Sequence, residues 1–577
     1  MRRLPLTVIV ALAMVVPVAG CGDDGGAGDA KKGGTLTVLD TAGGVDSLDP
    51  GYWYYQTDYA ELGNTTQRWL YGWKPDETTP TPDLATGLPK ASNGGKTLTI
   101  EIKPNIKYSA PLQNRTVKAA DVKYALERCF LPAVGNGYAN SYYSDIVGVS
   151  EFQDGKAKEI TGIKAPDDTT LVIETVRPVG VLASGAALGM PCTVPVPKDY
   201  AEKYDKGETS TYGEHQVFTG PYMIENDGKG KVTGYEPEKR LTLVRNPSWD
   251  KSTDFKPAYF DRIEVKGTFD AKIAAQRTLD QEGMLSGDYA APPVNILKSA
   301  LSSKKDQVAV EPSGGNRYIS LNTKVKPLDD VNVRRALSAA TDRDALRQTR
   351  GGPTLGTTAS HMFPPSVAGF QDAGGEKGPG FDFTSNPKAN IPLAQEYLKK
   401  AGYADGRYDG PELLTFADNE SPAKETAEAW QAQVEKLGFK LKLREVPHAT
   451  MLSKFCQVPK AAVAICPNLG WGADFFSSQS MIDPLFNGKN IVDTNNVNTS
   501  QVDDPALNAE IEKAKTITDP AAQAKAWAEL DKKVTEQAYF IVWLWDNNIG
   551  LRSEDVNGVS SKFNSGQWDF AFSSLKE

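Results

Sequence analysis

Histidine is scarce in this chain, with 3 residues among 577. Imidazole is the usual general base and a common metal ligand, so catalysis or metal binding through histidine has little to draw on. Three motifs are also missing: the Gly-x-Ser-x-Gly elbow, the Gly-Lys-Ser/Thr phosphate loop and the His-Glu-x-x-His zinc motif. A surface hydrolase would need an activated nucleophile or an acid pair that no motif supplies. The sequence therefore favours binding over catalysis, with no catalytic residue, cofactor or metal expected.

An excess of positive charge is missing as well. Lys and Arg number 64 against 73 Asp and Glu, a formal net charge of −9. Nucleic-acid binding is disfavoured, because neutralising phosphates requires a basic surface. Hydrophobic residues at 40% and charged residues at 24% are ordinary for a globular protein. At ~100–200 residues per domain, this length predicts three or more folding units, or two large lobes.

The chain has a single long apolar stretch, at its amino terminus, which excludes a polytopic membrane protein. Arg2 and Arg3 precede the apolar segment 4–18, and small residues lead to Cys21. A basic start, a short apolar core and small residues before the cut are typical of a secretory signal. The cysteine after Ala19-Gly20 matches a bacterial lipobox. An ordinary signal peptide with an incidental cysteine is the alternative.

We therefore expect residues 1–20 to be a lipoprotein signal peptide and Cys21 to carry lipid after cleavage. Residues 21–34 are polar and glycine-rich, which predicts a flexible tether. The expected location is extracytoplasmic, on the outer face of a cell membrane, in a periplasmic space or at the cell surface.

Five cysteines fit an oxidising compartment. Once Cys21 is set aside, Cys129, Cys192, Cys456 and Cys466 remain and can pair in three ways. Cys456 and Cys466 could close a hairpin across ten residues, and Cys129 would then pair with Cys192 across a larger loop. A zinc site is the alternative, but the chain has no Cys-x-x-Cys motif and its histidines lie far apart.

Hydrophobic periodicity predicts a mixture of helices and strands. The predicted strands include 97–103, 169–176, 240–244, 262–265 and 439–446, and the predicted helices include 118–130, 331–349 and 421–437. Ser421 is expected to cap the last helix, with Pro422 at its first position and Gly438 at its end. Helix-Gly-strand order of this kind is typical of α/β layers with a mainly parallel sheet. The predicted fold class is α/β or mixed α+β, arranged in two lobes.

Two segments combine aromatic and polar residues in a way that plain core does not require. The first contains Trp53, Tyr54 and Tyr55, and the second contains Trp471 and Asp474. Aromatic rings commonly line ligand clefts, and a carboxylate shielded among them could pair with a ligand ammonium. The alternative is that Trp471 is a core residue and Asp474 a helix cap.

Eight segments, in order along the chain, match one family. They are Ser47-Leu-Asp-Pro50, Thr116-Val-Lys-Ala-Ala-Asp-Val122, Phe218-Thr-Gly-Pro-Tyr222, Leu243-Val-Arg-Asn-Pro-Ser-Trp249, Tyr318-Ile-Ser-Leu-Asn322, Asp329-Asp-Val-Asn-Val-Arg-Arg-Ala336, 394–403 and Gly470-Trp-Gly-Ala-Asp474. With the lipobox before them, the chain resembles the extracytoplasmic solute-binding lipoproteins of ABC importers. Among these lipoproteins, it resembles the large oligopeptide/dipeptide-binding type, which is called bacterial extracellular solute-binding protein family 5.

The resemblance implies the periplasmic-binding-protein fold: two lobes close over a cleft, and an extra subdomain is inserted in the first lobe. By motif order, lobe I takes residues 35–70, 212–315 and 545–577, the inserted subdomain 71–211, and lobe II 316–544. The hinge is expected near Tyr318 and Trp545. Ligand binding would bias an open–closed equilibrium, and a membrane permease would recognise the closed form.

The resemblance also assigns roles to residues. Asp474 would hold the α-amino group of a peptide, with Trp471 in the same ligand-binding segment. Lobe I is expected to contribute Trp53, Tyr54 or Tyr55 to the cleft. The chain departs from the family pattern just after Asp474, where Phe475-Phe476-Ser-Ser-Gln replaces the more usual Tyr-x-x-Pro, so the pocket should differ in shape.

The implied function is capture of di- or oligopeptides by a monomeric component of an ABC importer, which passes them to permease subunits. The same role for an oligosaccharide, a metal chelate, an opine or another small amine-bearing compound is the alternative. A nickel chelate would usually want a cleft histidine, and only His361 and His448 fall in lobe II. A signalling role, which feeds a sensor instead of a permease, would look the same in sequence.

Overall fold

The computed structural model describes residues 30–41, 44–53, 56–287, 291–493 and 495–577. The predicted signal peptide, Cys21 and most of the tether lie outside the described residues, as do Tyr54 and Tyr55. Across the described ranges, no helix combines the length and the apolar character that crossing a bilayer requires.

Strands are numbered along the chain within these ranges. They are β1 Ala30–Lys31, β2 Thr35–Leu39, β3 Tyr71–Gly72, β4 Thr81–Pro82, β5 Lys90–Ser92, β6 Thr97–Glu101, β7 Ile163–Lys164, β8 Thr170–Glu174, β9 Tyr222–Ile224, β10 Tyr235–Glu236, β11 Arg240–Arg245, β12 Arg262–Lys266, β13 Leu285–Ser286, β14 Val308–Leu321, β15 Gly356–Thr358, β16 Leu413–Asp418, β17 Leu441–Val446, β18 Ile465–Gly472, β19 Phe540–Leu551, β20 Val556–Asn557, β21 Ser560–Ser561, β22 Gln567–Trp568 and β23 Ser574–Lys576.

Helices are numbered in the same way. They are α1 Gln56–Asp58, α2 Asn64–Thr66, α3 Ala119–Arg128, α4 Ala139–Tyr143, α5 Val149–Gln153, α6 Gly180–Ala183, α7 Lys198–Ala201, α8 Ala271–Leu279, α9 Val294–Ser303, α10 Val331–Ala340, α11 Arg343–Thr349, α12 Ile391–Lys400, α13 Ala423–Val434, α14 His448–Thr450, α15 Gln479–Phe486, α16 Pro505–Lys515 and α17 Pro520–Glu536.

The two larger sheets from the first half of the chain are a mixed one and an antiparallel one. The mixed sheet has the order β10-β11-β12-β2-β13, with β9 also paired to β11, and β2 runs parallel to both of its neighbours. The antiparallel sheet has the order β5-β6-β8-β7. Its strands alternate: Leu98 and Ile100 of β6 are buried opposite Ile173 and Leu171 of β8, so one face packs inward.

The large sheet belongs to the second half of the chain, in the order β15-β19-β14-β18-β16-β17. Its two longest strands, β14 and β19, pair along their length with a break between Pro312 and Asn316. Before the break the pair lies beside the mixed sheet, where Leu551 of β19 donates its N–H to the Ser286 hydroxyl of β13 at 2.9 Å. After the break it lies inside the large sheet. Two long strands therefore connect the sheets, as a hinge requires, while the exact lobe boundaries stay a prediction.

Two expectations about local structure are wrong. The sheets are mixed, not mainly parallel: in the large sheet, among the described residues, β16 is parallel to β17 and β18, whereas β14, β15, β18 and β19 pair antiparallel. The predicted helix-Gly-strand unit, α13 followed by Gly438 and β17, explains the parallel pairing of β16 with β17. Ser421 is not the cap of the helix after it, because that helix begins at Ala423 with Pro422 at the N-cap and no capping side chain.

Of the three possible pairings, the structure has the one in which Cys456 and Cys466 close a hairpin. Cys129 is bonded to Cys192, and Cys456 is bonded to Cys466, with Cα atoms 6.0 and 6.1 Å apart. The first ties the end of α3 to the turn near residue 192, and the second closes the segment before β18. The zinc alternative for these four cysteines is wrong.

Candidate functional site

The end of β18 carries the predicted site out of the large sheet. Trp471 and Gly472 pair with Asn316 and Gly315 of β14 just where β14 leaves that sheet. Residues 473–478, which we call the docking loop, then extend away from the sheet. Its side chains contact the part of the chain that contains α4, far away in sequence.

Asp474 is the polar centre of the docking loop. The hydroxyl of Tyr142, on α4, donates a hydrogen bond to its carboxylate. Tyr142 itself is buried, and Asp474 is enclosed on most sides but keeps some accessible surface. The contact joins the predicted inserted subdomain to predicted lobe II, so Asp474 lies where the two would face each other across a cleft.

This environment changes the acidity of Asp474. Burial raises the pKa of the carboxyl from 3.8 to about 7, and the hydrogen bond from Tyr142 offsets only part of that rise. Burial also raises the pKa of Tyr138 and Tyr143, with a further contribution from the nearby charge of Asp474. A carboxyl in this state gains strongly from a cationic partner, because an ammonium group would favour its charged form.

Two aromatic rings of the docking loop fix its position. Phe475 is 1% exposed and meets Tyr142 edge-on with ring centroids 4.8 Å apart. Phe476 meets Trp73 edge-on at 5.2 Å, and Trp73 stacks on Phe563 at 5.1 Å. Such pairs add to the stabilisation from buried apolar area. The Phe-Phe departure from the family pattern therefore has a structural role in docking the loop.

The predicted aromatic site residues differ in accessibility. Trp471 is half-buried against the core of the large sheet and donates its indole N–H to the Ser480 carbonyl at 2.8 Å, which anchors the start of the docking loop. Trp53 is 0% exposed, and its indole N–H donates to the Ser47 carbonyl at 2.9 Å. Full enclosure does not favour contact of Trp53 with a ligand. The roles of all these residues in ligand binding stay predictions.

Sequence reasoning missed a charged group at the hinge. Arg317 of β14 is paired with Asp546 of β19, and Arg350 lies close to both. Burial, together with the like charge of Arg317, lowers the pKa of Arg350 to about 10, although Asp546 acts in the opposite direction. No motif marks these residues, because they come together only when β14, β15 and β19 pair.

A second contact between distant segments lies outside the docking loop. Arg177, which follows β8, pairs with Asp145 at 2.8 Å and with Glu512 of α16. Lys515 lies on the same helix and holds Glu512 in its charged form. Burial would raise the pKa of Glu512, but Lys515 and Arg177 outweigh it and lower that pKa to about 2. The antiparallel sheet region is therefore fastened to α16 by ion pairs.

Residues 79–493 match the family described as bacterial extracellular solute-binding proteins, family 5 Middle. The chain belongs to this family. The match confirms the resemblance seen in the ordered motifs, and with it the fold class.

Three similar proteins illustrate this family 5 placement. The oligopeptide-binding protein OppA of Bacillus subtilis (strain 168) is 24% identical over 568 residues, which cover 94% of this chain and 95% of that protein. The solved structure of clavulanic acid biosynthesis oligopeptide binding protein 2 is 26% identical with a TM-score of 0.81, over 95% of this chain and 96% of that one. The periplasmic binding protein DppA of Helicobacter pylori, in complex with the peptide STSA, is 20% identical with a TM-score of 0.75, over 95% and 99%.

Proposed function

We propose that this family 5 protein captures peptides with a free α-amino group between its lobes and delivers them to the permease of an ABC importer. The observation that carries the proposal is Asp474, a carboxyl enclosed between two distant parts of the chain with its pKa raised to about 7. A ligand ammonium placed there would form a charge-assisted hydrogen bond with little competition from water. Similar proteins named for oligopeptide binding support the same choice of ligand.

Non-peptide ligands have less support. Sugar binding would rest on stacked rings without an essential acid, whereas Phe475 and Phe476 are engaged in docking the loop. A metal chelate would want an available histidine, but both ring nitrogens of His361 are bonded, to Asp531 and to the Gly375 carbonyl. One ring nitrogen of His448 is bonded to Asp418, at the end of β16. Peptides therefore fit the described residues better.

The docking loop supports a cycle of closure around the ligand. Its rings would leave their buried positions when the lobes open and return when a ligand pairs with Asp474. A permease that binds only the closed form would then distinguish loaded from empty protein.

We also propose that Cys21 anchors the protein by lipid. Ala30 of β1 pairs with Lys576 of β23, so the predicted tether leads directly into this small sheet. Nine residues of extended chain between Cys21 and Ala30 span at most about 30 Å, which keeps this sheet near the membrane. Incorporation of an alkyne-tagged fatty acid, lost in Cys21→Ala, is the expected result. Undiminished labelling in that variant would contradict the anchor.

The first test of the ligand is native mass spectrometry on the chain begun at Gly22, which retains β1. Adducts at peptide masses, released on denaturation and sequenced, are the expected outcome. Bare protein, or adducts at sugar or chelate masses, would count against peptides.

The second test addresses the amine anchor by calorimetry. The free peptide and its N-acetylated form are compared on wild type and on Asp474→Asn. We expect Asp474→Asn to weaken binding of the free peptide by ~2–5 kcal/mol, the typical result of breaking a buried charge pair. Asp493→Asn removes the same charge from a side chain that is 79% exposed, and it serves as the control. Equal affinity of wild type and Asp474→Asn would refute the anchor while leaving the family unaffected.

A further inference from the structure

A small cavity lies in predicted lobe II, away from the docking loop. It is lined by residues of α10, α11, α15, α17 and β19, and none of the described lining residues belongs to the docking loop. Its volume is about 10 Å³, close to the space that one water molecule needs. Most of its lining side chains are apolar, and the polar ones are Ser338, Arg343, Ser360, Thr384 and Thr535. We call it the Arg343 cavity.

Arg343 brings a positive charge to this cavity. Its side chain is buried, with 2% of the residue exposed. Nε donates to the Val542 carbonyl at 3.0 Å, and the two terminal nitrogens donate to the carbonyl and the hydroxyl of Ser338 at 3.3 and 3.0 Å. A guanidinium has five N–H groups. Three of them are used, and the described residues offer no acceptor to the other two.

No carboxylate of the described ranges forms an ion pair with Arg343. Burial alone lowers the pKa of Arg343 from 12.5 to about 10, so the guanidinium keeps its charge at neutral pH. Thr535 donates from the cavity wall to Asp531 at 3.3 Å. That carboxylate is already bonded to His361 and does not raise the pKa of Arg343. A buried charge without a counter-charge is unfavourable.

Other buried arginines of this chain have a partner for their charge. Arg128 pairs with two enclosed aspartates at 2.7 and 2.6 Å. Arg334 has no such pair in the described part of the chain, but its guanidinium lies over the ring of Tyr539, 5.1 Å from the centroid. Arg343 has neither arrangement among those residues. An anion from outside the chain would supply the missing charge.

Ser360 adds an unsatisfied hydroxyl to the same cavity. Its Oγ is enclosed and bonds to none of the described residues, whereas the hydroxyl of Thr384 donates to the Phe381 carbonyl at 3.2 Å. Ser360 as a whole is half-buried, so a small ion could enter beside it. Water in the cavity would satisfy this hydroxyl. Only an anion would also compensate the charge of Arg343.

We infer that the Arg343 cavity binds one monovalent anion of halide size, such as chloride, which accepts from the two remaining N–H groups of Arg343 and from the Ser360 hydroxyl. Chloride is little larger than water, whereas sulfate, phosphate and carboxylates have several heavy atoms and exceed a cavity of this volume. The wall joins four helices to β19, so the anion would stabilise predicted lobe II. This site is independent of the proposed function.

Thermal melts of the chain begun at Gly22 test the site without any variant. Chloride replaces gluconate at constant ionic strength, because gluconate is too large for the cavity. We expect Tm to rise and then saturate, by ~3–6 °C when chloride is at about ten times its dissociation constant, and bromide to act in the same way. A Tm without halide dependence, or one that rises without saturation, would indicate that water fills the cavity and would overturn the inference.

Two pairs of variants locate the effect. Ser360→Ala removes one donor to the anion and should raise the half-saturating chloride concentration ~3–10-fold. Ser385→Ala removes an exposed hydroxyl that is bonded to a main-chain carbonyl, and as the matched control it should respond to chloride like wild type. Arg343→Met should lose the halide dependence, whereas Arg334→Met, outside the cavity, should keep it. If Arg343→Met does not fold, the serine pair decides, and equal half-saturation in Ser360→Ala and wild type would overturn the site.

Crystals of wild type grown with bromide in place of chloride show where the ion lies. We expect an anomalous difference peak within hydrogen-bond distance of the terminal nitrogens of Arg343 and of the Ser360 Oγ. A map without a peak in the cavity would overturn the inference, even if the melts respond to halide. A bromide peak without a saturable Tm shift would be binding at crystal concentration only, and it would overturn the inference as well.

Discussion

Asp474→Asn should make the unliganded protein more stable at neutral pH, even though it removes a residue proposed to bind ligand. The pKa of Asp474 is raised by burial from 3.8 to about 7. A raised pKa in the folded state means that folding disfavours the charged carboxylate. The resulting destabilisation is absent below about pH 4 and grows as pH rises towards 7. Asparagine keeps the shape of the side chain and carries no charge to desolvate.

The size of the effect follows from that shift. Each pKa unit corresponds to about 1.4 kcal/mol, so the full shift is worth at most about 4 kcal/mol well above pH 7. At pH 5 most of the folded-state carboxyl is already protonated, and less than half of the penalty remains. Because Asp474 keeps some accessible surface, screening reduces these values. We expect the stability advantage of Asp474→Asn to grow by ~1–3 kcal/mol between pH 5 and pH 8.

Thermal melts of wild type and Asp474→Asn at pH 5 and pH 8, without ligand, measure this difference. A gain of 1 kcal/mol raises Tm by about 2–4 °C in a unit of ~200 residues. Asp493→Asn, on an exposed side chain, should melt like wild type at both pH values. A Tm difference between wild type and Asp474→Asn that is the same at both pH values would refute the desolvation of Asp474.

Three further predictions concern other parts of the chain. His361 is paired with Asp531, which outweighs burial and raises the pKa of the histidine above 6.5. His361→Gln should therefore lower the unfolding free energy by about 3–5 kcal/mol at pH 6, and by less as pH rises through the raised pKa. Melts across a series of pH values from 6 upwards measure this, and a loss that does not change with pH would contradict it. Glu512→Gln removes an ion pair with Arg177 and should increase the rate of peptide release ~2–5-fold, measured by stopped flow. An unchanged release rate would show that this ion pair does not stabilise the closed form. Cys192→Ser removes the disulfide that closes a loop of sequence separation 63, and it should lower the free energy of unfolding by about 4 kcal/mol, measured by urea denaturation. A loss below ~1 kcal/mol would mean that other contacts hold the loop.

Much of the fold could be predicted because local pattern determined it. The alternation in 97–103 and the periodicity in 118–130 correspond to β6 and α3. Asp342 accepts from the Ala345 N–H and so separates α10 from α11 within the predicted helical segment 331–349. These features depend on neighbours a few residues apart. The order of strands in the large sheet depends on β14 and β19, which are more than 200 residues apart, and no local pattern specifies that pairing.

The candidate site likewise has residues that could be predicted from local sequence and residues that could not. Asp474 and Trp471 could be found because they lie in one motif of the chain. Tyr142 could not, since its hydroxyl reaches Asp474 from 332 residues away. Arg350 was missed for a similar reason, because its environment is made by strands that pair only in the folded protein. The acidic residue could therefore be predicted from the sequence, whereas the residues around it come together only in the folded protein.

Charge burial and ring burial in the docking loop oppose each other, and in the proposed cycle their balance would make closure depend on the ligand. Burying Phe475 stabilises the docked loop by about 1.5–3 kcal/mol, and the half-buried Phe476 adds less, whereas desolvating Asp474 costs up to about 4 kcal/mol at neutral pH. The two contributions at this loop are similar in size and opposite in sign. In the proposed complex, a ligand ammonium would remove the cost at Asp474 and leave the gain from the rings. A ligand shifts an equilibrium between two forms only by its differential affinity for them. Under the proposed function, that difference would arise at the docking loop itself.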